Sequence, residues 1–150
     1  MGASRGLRRL LRIREIEEEQ GELALEAGLA ELGRLRQALA GAVAKDRRGR
    51  RLVEASARSG ELRDRLAGLE EMEAARRLAE VLRPRLAQRE EEVERLRREF
   101  LEQRVERRQA GTLMDEAEAE ELVQVERRRQ QWLDDWFASR RHRTRPRRVE

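Results

Sequence analysis

Residues 61–137 decide the fold of this chain: ELRDRLAGLEEMEAARRLAEVLRPRLAQREEEVERLRREFLEQRVERRQAGTLMDEAEAEELVQVERRRQQWLDDWF. Apolar residues recur here at steps of mostly three or four, at Leu62, Leu66, Leu69, Met72, Leu78, Leu82, Leu86, Val93, Leu96 and Phe100. Such steps average about 3.5 residues, which lays a narrow apolar stripe along one side of a helix. Most residues between them are Arg, Glu or Gln, which favour helices. The stretch therefore predicts one long helix that needs a partner helix.

The composition is typical of an all-α coiled coil. Charged residues make up 44% of the chain and aromatic residues 3%, and there is no cysteine. A disordered chain can be as highly charged, but it lacks a regular apolar stripe. Without cysteine, no disulfide framework or thiolate metal site is predicted. No apolar run approaches the roughly 20 residues of a membrane span and no signal peptide is apparent, so we expect a cytoplasmic protein.

The first helix is predicted at about residues 5–57, and it contains two overlapping apolar stripes. One runs through Ile13, Ile16, Gln20, Leu23, Ala27 and Ala30, and the other through Leu25, Gly28, Leu32, Leu35, Leu39 and Ala42. Such a helix contacts more than one neighbour, or its register shifts midway. Gly21 and Gly28 cost about 1 kcal/mol each relative to alanine inside a helix. Close approach of a partner helix explains them, and so does a bias in codon usage.

A turn is predicted at about residues 58–60, because Gly60 can supply the left-handed residue that ends a helix. Arg48-Gly49 is the alternative position. The second helix is predicted at about residues 61–139, with a bend or local break at Pro84. A basic tail, residues 140–150, completes a single coiled-coil domain over residues 1–150. The tail holds six arginines and one glutamate, so its own net charge is +5. The rest of the chain has a net charge of −1, which gives +4 in total.

A reversal near residue 60 makes the chain a long two-helix antiparallel coiled-coil hairpin, in which residue i faces roughly residue 120 − i. Leu7 then faces Leu113, and residues 113–137 form an overhanging C-terminal helix roughly 35 to 40 Å long. The overhang keeps an apolar face that includes both tryptophans, and aromatic residues are favoured interface anchors. We therefore expect it to bind a partner outside this chain. The alternative is that it folds back or pairs with a second copy.

No catalytic, cofactor-binding or metal-binding motif is present, and we predict that the protein is not an enzyme. Gly28 to Gly33 lack the Lys-Ser/Thr ending of a phosphate-binding loop. His142 lies among arginines without plausible ligand partners for a metal. Arg140 to Arg148 form a basic run that could contact nucleic acid phosphates, but without an aromatic platform. No specific nucleic-acid partner is expected.

Three segments resemble the FliJ family of flagellar export proteins. Residues 10–18, LLRIREIEE, are similar to the start of that family, and residues 113–117, LMDEA, are similar to a late family segment. Residues 126–137, ERRRQQWLDDWF, resemble the end of some FliJ-type chains. Stalk proteins of injectisome type III secretion are the second choice and have the same architecture. This chain departs from the family in having no aromatic residue before Phe100.

The resemblance implies a non-catalytic stalk in the flagellar type III export apparatus, at the cytoplasmic face of the inner membrane. FliJ-like proteins stimulate the hexameric export ATPase (FliI-like) and contact the export gate (FlhA-like) and export chaperones. The implied ATPase interface comprises Leu7, Leu10, Leu11, Leu122, Val125, Arg129, Trp132, Leu133, Trp136 and Phe137. The implied gate and chaperone interface comprises Leu39, Val43, Leu62, Leu66 and Leu69. A structural self-associating coiled coil is the competing class, and a basic nucleic-acid-associated helical protein is a third.

Overall fold

The computed structural model describes residues 2–144, which form two long helices joined by a tight turn. Helix α1 spans Gly2–Ser59 and helix α2 spans Leu62–Arg143. The two helices pack against each other, which confirms the predicted all-α hairpin. Most of the basic tail, residues 145–150, lies outside the described residues.

Gly60 makes the turn between the helices. Its φ of 73° is in the left-handed region that favours glycine, and its amide donates a hydrogen bond to the Ser56 carbonyl at 2.8 Å. The Glu61 amide donates to the Ser59 hydroxyl at 3.4 Å. Helix α1 continues through Arg48-Gly49, so the alternative turn position is wrong.

Gly60→Ala is expected to lower the free energy of unfolding by about 1 kcal/mol, because a Cβ atom disfavours a positive φ. No atom lies within 4 Å of the position that this Cβ would occupy, so the cost comes from the backbone alone. Urea denaturation followed by circular dichroism measures the loss. Gly60→Asn is the control and should recover part of it, because Asn tolerates this conformation. Equal stability of Gly60→Ala and the unsubstituted protein would contradict the prediction.

The chain forms two compact units, and we call residues Glu17–Gln103 the hairpin unit. Its helices meet along seams with alternating steps of three and four. The α1 seam comprises Leu25, Gly28, Leu32, Leu35, Leu39, Ala42, Asp46, Gly49, Val53 and Ser56, all buried or half-buried. The α2 seam comprises Gly68, Met72, Ala75, Ala79, Leu82, Leu86, Arg89, Val93, Leu96 and Phe100, again buried or half-buried. Arg89 bonds Glu31 at 3.0 Å, the residue that the predicted register places opposite it.

The first of the two predicted α1 stripes does not belong to the seam. Ile13, Ile16 and Leu23 are 46%, 47% and 65% exposed. A helix turns by about 100° per residue, so residues offset from the seam positions point elsewhere. These three therefore lie on the face of α1 turned away from α2. The seam positions of α1 keep one register, so the alternative of a register shift is wrong.

The predicted α2 stripe is partly wrong. Leu62, Leu66, Leu69 and Leu78 are all exposed, by 68%, 53%, 46% and 45% respectively. The seam uses the small residues Gly68, Ala75 and Ala79 instead, each less than a tenth exposed. Small side chains let two helix backbones approach closely, and long leucines at those positions would hold them apart.

The backbones of the two helices approach closely at Gly49 and Gly68. A Cβ atom on either glycine would stand 2.6 Å from the carbonyl oxygen of the other. A Cβ on Gly28 would stand 3.1 Å from the Leu96 side chain, which is also a tight contact. Close packing of a partner helix therefore explains these glycines.

Helix α2 is continuous through Pro84, so the predicted local break is not found. Proline removes one ladder hydrogen bond, the one that the Glu80 carbonyl would accept. Residues four apart lie on the same side of a helix, and both Pro84 and Glu80 are exposed. Water can satisfy that carbonyl, which is why the helix tolerates proline here.

Candidate partner-binding surface

The second compact unit, which we call the terminal unit, consists of Met1–Ile16 and Arg104–Glu150. The two helices pair here through the buried residues Ser4, Ala110 and Met114, which are 6%, 3% and 5% exposed. Ion pairs also join the helices in this unit. Arg14 bonds Glu106 at 2.7 Å, and Arg8 bonds Glu118 at 3.9 Å.

Pairing extends further along α2 than predicted. Residues 107, 110, 114, 117 and 121 are buried or half-buried and keep the alternating steps of three and four. The prediction that the overhang begins at Leu113 is therefore wrong. Helix α1 begins at Gly2, before the predicted start at about residue 5, and Ser4 is buried. The extra turn of α1 covers more of α2.

Beyond residue 121, α2 has no partner helix in the described part of the chain. We call residues 122–143 the C-terminal segment. Every residue in it is exposed except Leu133, which is half-buried. Leu122, Trp132 and Phe137 are 68%, 64% and 56% exposed. A helix without a tertiary partner loses the packing that supplies most helical stability in proteins, so this segment gains by binding.

The large apolar residues of the C-terminal segment gather on one side of α2. At about 100° per residue, one arc of roughly 140° contains the whole set, which we call the aromatic face. Its members are Leu122, Val125, Arg129, Trp132, Leu133, Trp136 and Phe137. They are the α2 residues that the family resemblance implies for the ATPase interface.

The aromatic face does not continue the seam that contacts α1. Steps of three and four from Glu121 lead to Gln124, Arg128, Gln131 and Asp135, all polar. The aromatic face is displaced around the helix from those positions by about one residue, or roughly 100°. The aromatic face is therefore a separate side of α2, because polar residues occupy the positions that would continue the seam.

Aromatic contacts order the end of the face. The rings of Trp136 and Phe137 meet edge to face, with centroids 5.0 Å apart and planes at 80°. The Arg140 guanidinium lies 5.0 Å from the Trp136 ring centroid, in cation–π range. Arg140 was not predicted to belong to this surface. Its position four residues after Trp136 on a helix could have revealed it.

The three leucines implied for the ATPase interface on α1 lie in the paired part of the terminal unit. Leu7, Leu10 and Leu11 are half-buried, and Leu7 and Leu11 occupy positions in the 3–4 pattern of the α1 seam. These leucines pack against α2. The aromatic face lies on α2 beyond its paired part, so these leucines are not members of it.

The residues implied for the gate interface fall into two groups. Leu62, Leu66 and Leu69 are exposed at the start of α2, on the turn of the hairpin. Leu39 is half-buried at the α1 seam and Val43 is 39% exposed. Val43 lines a shallow groove with Ala42, Ala75 and Ala79, away from the turn. The structure therefore does not bring the five residues together.

Within residues 2–144 there is no cluster of His, Cys, Asp and Glu that could hold a metal ion. Neither described helix contains a stretch long and apolar enough to cross a membrane.

No family model, curated protein or solved structure matches the chain. The geometry of α2 and the resemblance to the FliJ family are therefore the two observations that bear on function.

Proposed function

We propose that this protein is a non-catalytic stalk of a type III protein export apparatus, of the flagellar kind, which binds and stimulates the hexameric export ATPase. The observation that carries the proposal is the aromatic face. It presents both tryptophans of the chain on the C-terminal segment of α2, which has no partner helix among the described residues. Residues 126–137, which resemble the end of FliJ-type chains, supply much of that face.

The aromatic face has the composition of a protein interface. Tryptophan and arginine are the residues that most often dominate binding energy, and this face contains Trp132, Trp136 and Arg129. Trp132 is 64% exposed and so available to a partner. A helix that lays one apolar side into a groove is a common mode of recognition.

The mechanism is mechanical coupling without bond chemistry in this subunit. An asymmetric hairpin inside a ring of identical ATPase subunits contacts each subunit differently. Differential contact energy shifts the equilibrium between nucleotide states, because a ligand favours the state that it binds more tightly. We place the C-terminal segment against the ATPase and assign Leu62, Leu66 and Leu69 to the export gate and its chaperones. The protein then reaches the inner membrane through these partners.

Deleting residues 122–150 is expected to abolish stimulation of the export ATPase encoded in the same genome. The truncated protein keeps the paired residues through Glu121, so the hairpin itself should remain folded. The assay compares ATP hydrolysis and co-purification with the full chain and with the truncation. Circular dichroism confirms that the shorter protein is helical.

Stimulation by the full chain that disappears with the truncation would support the stalk assignment and locate the ATPase contact. Stimulation by both forms would move the contact to the paired part of the terminal unit. Binding by neither form would reject the assignment and leave a structural self-associating coiled coil.

A further inference from the structure

The charges near the C-terminal end of α2 are arranged in alternating blocks. Over residues 120–143, acids stand at 120, 121 and 126, arginines at 127–129, acids at 134 and 135, and arginines at 140, 141 and 143. Among the described residues, the ion pairs in this stretch include only Glu126 with Arg129, at 4.0 Å. Gln130 donates a hydrogen bond to Asp134 at 3.4 Å, and apart from half-buried Glu121 every charged side chain in this stretch is exposed.

The blocks read acidic, basic, acidic, basic, so the segment is complementary in charge to a second copy that runs in the opposite direction. Two copies of the segment that run in opposite directions place each acidic block against a basic block. Two copies that run in the same direction and in register place every block against itself, which is unfavourable. The pattern therefore favours an antiparallel pair with two-fold symmetry, in which the same surface of each copy forms the interface.

The charges that flank the aromatic face favour one alignment of the two antiparallel copies. Arg128 and Asp135 lie on the same flank of the face, and so does Glu121. A two-fold axis beside Trp132 sets Arg128 opposite Asp135 of the second copy. The same axis sets Glu121 opposite His142, beside Arg143. Trp132 then lies at the centre of the interface, where hot-spot residues are concentrated.

We propose that two copies of this chain form an antiparallel dimer through the aromatic faces of their C-terminal segments, with an axis beside Trp132. The dimer covers Trp132, Leu133 and Trp136 from water and pairs the flanking charges. It occupies the surface that we assign to the ATPase, so the ATPase must compete with the second copy. The dimer itself requires only this chain and does not depend on the proposed function.

Charge reversal tests the register, because Arg128 and Asp135 are exposed and their replacement leaves the seam with α1 intact. Arg128→Glu should weaken the dimer by on the order of tenfold, since two symmetry-related attractions become repulsions. Asp135→Arg should do the same. The double variant R128E/D135R should restore wild-type association, because opposite charges again face each other. Sedimentation equilibrium over a range of protein concentrations measures each dissociation constant.

Arg127→Glu is the matched control. It changes the net charge as Arg128→Glu does, but Arg127 lies on the side of α2 away from the aromatic face, so the dimer should be unaffected. Circular dichroism confirms that each variant stays helical. A monomeric wild-type protein at all concentrations would overturn the proposal. So would equal effects of R127E and R128E, or a double variant as weak as the single ones. Because only this chain is present, these outcomes leave the ATPase assignment untouched.

Discussion

Replacing Gly49 by alanine is expected to lower the free energy of unfolding by about 2 kcal/mol. The added Cβ would stand 2.6 Å from the Gly68 carbonyl oxygen and 2.7 Å from the Met72 side chain. Backbone atoms of α2 cannot yield without moving the whole helix, so the two helices must separate locally. Overpacking of this kind costs about 1 to 3 kcal/mol, more than the helix propensity that alanine gains over glycine. Urea denaturation followed by circular dichroism measures the loss.

Gly41→Ala is the matched control, because it adds the same methyl group to the same helix. No atom lies within 4 Å of the Cβ position at Gly41, so only the gain in helix propensity remains. That variant should be more stable than wild type by about 0.5 to 1 kcal/mol. Opposite signs at Gly49 and Gly41 would establish the close approach of the helices. Stabilisation at both positions would show that the helices are farther apart.

The double variant Trp132→Ala/Trp136→Ala is expected to abolish binding to the export ATPase. Truncation of a central interface tryptophan costs about 2 kcal/mol or more, which is roughly a 30-fold loss of affinity for each. Trp132 and Trp136 are 64% and 42% exposed and contact no other helix in the described chain, so their removal should leave the hairpin folded. Affinity for the purified ATPase and stimulation of ATP hydrolysis are the two measurements.

Val123→Ala provides the control for this variant. Val123 is 50% exposed on the same segment but lies outside the aromatic face, so binding should be unchanged. An equal loss with Val123→Ala would mean that the segment is recognised without regard to face. Unchanged ATPase binding by the tryptophan variant would remove the aromatic face from that interface. The same variant should also lose the antiparallel dimer.

Several features could be predicted from sequence because they depend on local chemistry. Alternating apolar steps predicted two long helices, and Gly60 predicted the turn, since the left-handed conformation there is accessible to glycine at little cost. A tight turn between two helices also sets their antiparallel register. The ion pair of Arg14 with Glu106 lies where that register places it. The aromatic face followed from helical spacing, because its residues belong to one helix and need no partner to define it.

The seam of the hairpin could not be derived in the same way. Leu62, Leu66 and Leu69 were predicted to be core because they are the most apolar residues in their stretch, yet all three are exposed. The extent of pairing in the terminal unit was likewise missed, because it depends on how far α1 extends toward Gly2.

The sequence by itself determined the helices, the turn, the register and the apolar residues of the aromatic face, since each follows from the geometry of a single helix or a short turn. Only the tertiary structure decided which side of each helix is buried. Gly49 and Gly68 allow the backbones to approach, and the free energy of that close packing outweighs the burial of larger leucines elsewhere. Packing between residues distant in the chain is a pairwise property, and a pattern of apolar steps along one helix does not contain it.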